Sequence, residues 1–218
     1  MLGDPNCSVD ISGVASTVSD GTVASHENSE SLMDGISMIS MKLDSDTKKS
    51  VEALTSEGMS DEEKNVLVSE LSNFSGSEIF EFSTCNRVLY VGFGVNPDEL
   101  ILAVEAVIGV SEAEFQKSSG MAVWRDLVRI CSGLDSFILG ELQVMGQFRD
   151  AVAWHKENGH VSAVNSSLFD HVISANRIVR KEMSFDKTTE SMLNLATSAM
   201  KEIVQGKEQL DSVVLGFG

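Results

Sequence analysis

Ile79-Phe80-Glu81-Phe82-Ser83-Thr84-Cys85-Asn86-Arg87-Val88-Leu89-Tyr90-Val91 decides the fold. Its two ends are short runs rich in aromatic and β-branched residues, the side chains that pack well on a pleated sheet. Its middle, residues 83–87, is polar and short. The stretch predicts two strands with a brief connection between them, and it puts Cys85 where the first strand ends. Working outward, Ile36-Ser37-Met38-Ile39-Ser40-Met41 reads as an earlier strand. Ser60 followed by Asp61, Glu62 and Glu63 is a helix start with acids in its first turn, and Val66, Leu67, Val68 and Leu71 continue it. Asn96-Pro97 opens a second helix, with Asn as cap and Pro in the first turn, running through Leu100, Val104 and Val107. Short strands alternating with helices imply an α+β fold, a small split-βαβ (ferredoxin-like) sandwich over residues 35–119.

From about Gly120 the pattern becomes helical, and a helical part is expected over 120–185. Val123, Leu127, Ile130 and Leu134 recur at spacings of 4, 3 and 4, as do Leu168, Val172, Ala175 and Val179. Each set is the apolar face of an amphipathic helix. Residues 140–158 and 189–205 also read as helices. Ser212-Val213-Val214-Leu215 reads as a buried strand running into Gly216-Phe217-Gly218, so residues 186–218 are expected to be a linking helix and a strand. Residues 1–34, rich in Ser, Gly, Asp and Asn, are expected to be a disordered tail.

Composition narrows the function. With 42% hydrophobic residues the chain can build a core. The net charge of −17 argues against a general nucleic-acid coat. The acids concentrate in residues 1–64, whereas 117–181 carry a slight excess of bases, which leaves room for a local RNA contact there. No apolar run reaches the ~20 residues a membrane span needs, and no basic-then-apolar signal opens the chain. A soluble, cytoplasmic protein is expected, with no membrane or DNA partner. The three cysteines, Cys7, Cys85 and Cys131, form no C-x-x-C pair, and no metal is expected. His155 and His160, five apart at a helix end, read as surface residues.

Three features could carry chemistry. Cys85 sits at a strand end beside Thr84, Asn86 and Arg87, the kind of place where a scaffold presents functional side chains. Arg87 could favour the nucleophilic thiolate; the plainer reading is a buried structural cysteine. Cys131 lies on an apolar helical stripe and reads as packing. Residues 133–147 interrupt a helical region with Gly133, Gly140, two acids and two glutamines. Either Gly133 ends one helix and Gly140 begins the next, or Ser136, Glu141, Gln143 and Gln147 face a pocket. Gly216-x-Gly218 after a strand could open a dinucleotide-binding turn, but two glycines alone are weak evidence.

Ser83-Thr84-Cys85-Asn86-Arg87, then Ser132-Gly133-Leu134-Asp135-Ser136 and Leu139-Gly140-Glu141-x-Gln143 through Gly146-Gln147, resemble in order and spacing the signature segments of glutamyl-tRNA reductases. Arg177-Ile178-Val179-Arg180-Lys181-Glu182 resembles the basic helix that follows them, and Val213–Gly218 falls where that family's Rossmann domain opens. The resemblance runs from about residue 36 to the end. It implies NADPH-dependent reduction of glutamyl-tRNA(Glu) to glutamate-1-semialdehyde, the first step of tetrapyrrole (5-aminolevulinate) biosynthesis. Cys85 would be the nucleophile that forms a thioester. Arg87 would pair with a glutamate carboxylate and Glu141 with the substrate ammonium. Thr84, Asn86, Ser136, Glu141, Leu142, Gln143 and Gln147 would line the substrate pocket. Gly216, Phe217 and Gly218 would be part of the cofactor site, at the first strand of a Rossmann domain that continues, with a dimerisation domain, beyond Gly218. Glutamate-1-semialdehyde aminomutase and a second copy of the chain are the partners the resemblance implies.

The chain departs from that pattern. Asp126 stands where the family has a histidine that handles protons, and an ordinary Asp is charged at pH 7 and a poor proton donor. Val88-Leu89 replace the glutamate usual after the Cys-Asn-Arg motif. Of the family's Asn-His-Lys in the first strand only the lysine of Ser40-Met41-Lys42 remains. An alternative is therefore a glutamyl-tRNA-binding or regulatory relative with impaired catalysis. A blander third is a helical RNA-binding domain using Arg125, Arg129, Arg149, Lys156, Arg177, Arg180 and Lys181.

Overall fold

The computed structural model describes residues 33, 35–111, 113–136, 139–141, 143–183, 197–202 and 205. In chain order the elements are β1 (Ile36–Lys42), α1 (Lys48–Leu54), α2 (Asp61–Ser75), β2 (Glu78–Thr84), β3 (Arg87–Phe93), α3 (Pro97–Ile108), β4 (Gln116–Ser119), α4 (Met121–Cys131), α5 (Gln143–Glu157) and α6 (Ala163–Glu182). The four strands form one sheet in the order β2-β3-β1-β4, and every pairing is antiparallel. That order is the split-βαβ, ferredoxin-like arrangement the sequence implies.

Alternation along the strands divides the core in two. Met38, Phe80, Phe82, Leu89 and Val91 point to one face and pack with Leu127, Phe148, Phe169 and Val172 of α4–α6. Ile39, Met41, Ile79, Val88 and Tyr90 point to the other and pack with Val51, Leu71, Leu100 and Val104 of α1–α3. The sheet is thus buried on both faces, which is why β3 is buried along its whole length. Phe80 lies 4.2 Å from Phe169 between ring centroids and 5.7 Å from Phe148, tying α5 and α6 to the sheet. Each such ring contributes about 1.5–3 kcal/mol by its burial.

The two predicted helix starts have the expected chemistry. Ser60 Oγ accepts from the Glu63 N–H at 3.2 Å, and Glu63 Oε2 accepts from the Ser60 N–H at 2.8 Å, a reciprocal cap for α2. Asn96 Oδ1 accepts from Asp98 and Glu99 N–H at 2.9 and 3.0 Å at the start of α3. Two elements were not legible. β4 is Gln-Lys-Ser-Ser, polar on both faces because it is a short edge strand. α1 is only seven residues long, with two buried side chains.

The expected surface placement of the histidines fails. His155 is fully buried on α5, although it sits near the end of its helix. Its Nδ1–H donates to the Ala151 carbonyl at 2.8 Å, and its Nε2 accepts from the Glu81 N–H at 3.1 Å. Burial holds its pKa down to about 3, so the ring is neutral. His160 is half-buried and stacks on Trp154, 5.3 Å between centroids. Glu81 is also fully buried, on the α1–α3 face of β2. Its carboxylate accepts from Ser56 Oγ at 2.8 Å and from Ser83 Oγ, and it pairs with Lys64 of α2 at 3.2 Å. A buried carboxylate is tolerable only when paired and hydrogen-bonded in this way.

The strand and glycine turn read at 212–218 and the tail read at 1–34 lie outside the described residues, apart from Met33, which packs partly buried on the α4–α6 core. Within the helix read at 189–205, residues 197–202 are helical and most of the others lie outside the described residues.

Candidate functional site

Sheet register builds the site. Thr84 pairs with Arg87 and Arg87 with Lys42, so three polar side chains lie side by side on β2, β3 and β1, at the end of the sheet and on the α4–α6 face. Thr84↔Arg87 is the last pair of the β2–β3 ladder, so Cys85-Asn86 is a two-residue loop held tightly at the sheet's tip. The Leu43 N–H donates to the Asn86 carbonyl at 2.8 Å, and the Asn86 N–H donates to Thr84 Oγ1 at 3.4 Å. Cys85 itself is exposed.

Facing this edge is the corner between α4 and α5. Gly133, at φ 74°, reverses the chain after α4, and the Gly140 N–H returns to the Gly133 carbonyl at 3.0 Å. A helix does not begin at Gly140 as read; α5 starts at Gln143. α6 fixes both ends of the corner. Asn176 Nδ2–H donates to Ser132 Oγ at 3.1 Å, and Arg180 Nη1–H donates to the Gly140 carbonyl at 3.0 Å. Asn176 and Arg180 are four residues apart, on one helical face. Both are buried, so Arg180 is a support for the corner rather than part of an RNA-facing surface. Lys156, another of those bases, pairs with Asp170 at 3.1 Å.

Between the Cys85 loop and the corner lies a cleft, small in this state at about 50 Å3. It is lined by Lys42, Phe82, Thr84, Cys85, Asn86, Arg87, Ile130, Asp135, Ser136, Glu141, Gln143, Val144 and Gln147. Eight residues chosen from sequence therefore meet: Thr84, Cys85, Asn86, Arg87, Ser136, Glu141, Gln143 and Gln147. Leu142, Gly216, Phe217 and Gly218 lie outside the described residues. Lys42 and Asp135 complete the cleft. Asp135 stood in the quoted motif as an acid with no role assigned to it, and nothing local in the sequence shows that it reaches Arg87. Asp126 does not line the cleft. It lines a neighbouring cavity of about 260 Å3 with Arg129 and Lys117, and the two spaces share Arg87, Ile130 and Asp135 as a wall.

The expected activation of Cys85 by Arg87 is not what the geometry gives. Arg87 lies on the α4–α6 face of β3 and its Nη2–H donates to Asp135 rather than to the thiol. Partial burial pushes the Cys85 thiol up, and the negative charges of Glu57 and Glu141 push it the same way. The Arg87 charge acts instead on Cys131, whose burial raises its thiol far more than Arg87 lowers it, in keeping with a packing role. In the free chain, then, Cys85 alkylation by iodoacetamide should still be rising above pH 9, with no plateau near neutrality. A plateau below pH 8 would show a thiolate stabilised by a group this geometry lacks.

Gly133 gives a second test. A Cβ there would meet the Glu141 nitrogen at 2.7 Å and the Gly140 Cα at 3.0 Å, on backbone that already favours glycine. Gly133→Ala is expected to cost roughly 2–3 kcal/mol in urea unfolding and to displace Glu141 from the cleft. A loss below ~0.5 kcal/mol, about the range of neutral surface changes, would mean that the corner is looser than this packing.

A ferredoxin-like sheet whose tip presents an exposed thiol beside a cleft lined by Lys42, Arg87, Asp135 and Glu141 defines a class: a small α+β domain with a cysteine at a charged cleft. Comparison with known proteins identifies which. The family model for the glutamyl-tRNA(Glu) reductase N-terminal domain matches residues 45–183, and the chain belongs to that family. The chain is 30% identical to the glutamyl-tRNA reductase of Shewanella amazonensis over 148 residues, which is 66% of the chain and 36% of that protein. It is 31% identical to that of Nitrosococcus oceani over 160 residues, 69% of the chain and 38% of that protein. The glutamyl-tRNA reductase of Methanopyrus kandleri shares the fold, with a TM-score of 0.59 at 20% identity over 78% of this chain and 40% of that one. The chain thus spans little more than a third of the length of the relatives it matches. Among the described residues no helix is long and apolar enough to cross a membrane, and no cluster of side chains could hold a metal ion.

Proposed function

We propose that the cleft takes the glutamyl group of glutamyl-tRNA(Glu) and transfers it to Cys85 as a thioester, the acyl half of an NADPH-dependent reduction to glutamate-1-semialdehyde at the start of tetrapyrrole synthesis. The order of charges along the cleft carries this reading. Arg87, its side chain 8% exposed, and Lys42 line the cleft from the sheet, whereas Glu141, from the facing corner, is close enough to raise the pKa of the exposed Cys85 thiol. A glutamyl ester has the matching order: a carboxylate at the far end, and an ammonium one carbon from the carbonyl that a thiol attacks. With its carboxylate on Arg87 and its ammonium on Glu141, its ester lies at Cys85.

The same seating offers an activation step. Partial burial, with the charges of Glu57 and Glu141, favours the protonated thiol in the free chain; a bound ammonium offsets those two charges and favours the thiolate. Sulfur then bonds to the ester carbon, the carbon–oxygen bond to the tRNA breaks, and the released oxygen takes the thiol's proton. NADPH is the hydride source in this proposal, and its candidate residues Gly216, Phe217 and Gly218 lie outside the described residues. A second copy of the chain, glutamate-1-semialdehyde aminomutase as a receiver of the product, and a cytoplasmic setting belong to the same proposal.

One observation favours a second reading, a glutamyl-tRNA-binding module without turnover. Asp126, at the family's histidine position, faces the neighbouring cavity and brings no proton donor to the cleft. Acyl trapping separates the two. The chain is mixed with tRNA carrying labelled glutamate, quenched in acid and treated with hydroxylamine. Label on the peptide containing Cys85, released by hydroxylamine, supports acyl transfer. Binding of the tRNA by a folded chain with no such label supports the module.

A further inference from the structure

The register that builds the cleft sets Lys42 directly opposite Arg87. Two like charges opposed across a sheet repel, and here the Arg87 side chain is only 8% exposed. Asp135 resolves the conflict. Its carboxylate accepts from Arg87 Nη2 and pairs with Lys42 Nζ at 3.4 Å, and its backbone carbonyl accepts from Lys42 Nζ at 2.9 Å and from Arg87 Nη2 at 3.4 Å. One residue of the α4–α5 corner thus engages both cations. With Glu141 included, the charged side chains lining the cleft among the described residues are two cations and two carboxylates, so this lining is neutral.

We infer that Asp135 is a specificity-determining residue: by neutralising the Lys42–Arg87 pair it sets the cleft to accept a glutamyl ester and to refuse free glutamate. The inference rests on the proposed function, because the ligand it concerns is that of the same cleft. A glutamyl ester carries one ammonium and one carboxylate and is neutral overall. Free glutamate has a second carboxylate, on the carbon that the ester holds at Cys85. In a neutral cleft with Glu141 beside the thiol, that extra charge has no cation to meet. Removing the Asp135 charge leaves the cleft with a net positive charge that the second carboxylate can use. The physiological sense is plain, since free glutamate is chemically inert toward a thiol and would only block the site.

The test reads protection of Cys85 from iodoacetamide in the whole chain, with two probes: glutamic acid α-methyl ester, net charge zero, and free L-glutamate, net charge −1. Unprotected alkylation rates of each variant serve as the reference, and circular dichroism confirms folding. In the natural sequence the ester is expected to protect at lower concentration than glutamate. In Asp135→Asn the ratio of the two half-protecting concentrations should shift toward glutamate by roughly tenfold, the effect of one charge at close range in a partly screened site. Asp135→Glu, which keeps the charge, should retain most of the natural ratio. An unchanged ratio in Asp135→Asn, with both probes still protecting, overturns the role of Asp135 and leaves the glutamyl cleft standing. Protection by neither probe in any variant overturns the glutamyl reading itself, and the role of Asp135 with it.

Discussion

Cys85→Ser is expected to abolish the hydroxylamine-labile adduct with labelled glutamate, lowering acyl transfer by on the order of 10^3-fold or more. Two physical differences act together. A serine hydroxyl is far less acidic than a thiol, so the substrate ammonium cannot bring it near its ionised form. Among the described residues no histidine lines the cleft to activate a serine: His155 and His160 sit in a cluster with Trp154, and Asp126 lies in the neighbouring cavity. Any ester formed on serine would also resist mild hydroxylamine, which distinguishes it from the thioester. Cys131→Ser makes the complementary control: Cys131 is fully buried in the α4–α6 core, so its loss should lower stability and leave the adduct in place. Label persisting in Cys85→Ser would move the nucleophile to another residue.

Glu81→Ala should cost about 3–5 kcal/mol of folding stability, the usual penalty for removing one partner of a buried ion pair. The carboxylate is fully buried and joins three segments: Ser56 after α1, Lys64 on α2 and Ser83 on β2. Truncation leaves the Lys64 ammonium, largely buried, without its counter-ion and removes the acceptor of two hydroxyls. A domain of ordinary stability, ~5–15 kcal/mol, would lose a large part of its margin. Glu81→Gln keeps an acceptor oxygen and should cost clearly less. Urea unfolding of both variants checks the pair; equal small losses, under ~1 kcal/mol, would mean that water replaces the carboxylate's partners. The Cys85 loop should feel the change too, because Ser83 lies two residues before Cys85 and its Oγ accepts from the Ser56 N–H at 3.1 Å.

Much of the molecule was legible because its signals are local. β2 and β3 follow from short apolar runs, α2 and α3 from Ser60 and Asn96 with their acids, and α4 and α6 from apolar stripes of helical period. Cys85, Arg87, Ser136 and Glu141 were legible through the resemblance, which rests on several short motifs in order. Where the reading failed, the cause was non-local. His155 looks like a surface histidine at a helix end, yet α5 packs it against β2, where the Glu81 N–H needs an acceptor. Arg180 looks like one of several basic side chains on a helix, yet it reaches the Gly140 carbonyl across the corner. Arg87, two residues from Cys85 in sequence, pairs with Asp135 on the α4–α6 face of the sheet, while partial burial and the charges of Glu57 and Glu141, from distant segments, act on the thiol.

The sequence by itself determined most of the elements, the α+β class and the family, since periodicity, caps and motif spacing are properties of neighbouring residues. Only the tertiary structure decided which charges share a cleft. Strand register set Lys42 opposite Arg87, two glycines at positive φ turned Asp135 back onto that pair, and the packing of α4 on the sheet put Asp126 in the neighbouring cavity instead of beside the thiol. Electrostatics follows distance in space, and separation along the chain does not give that distance.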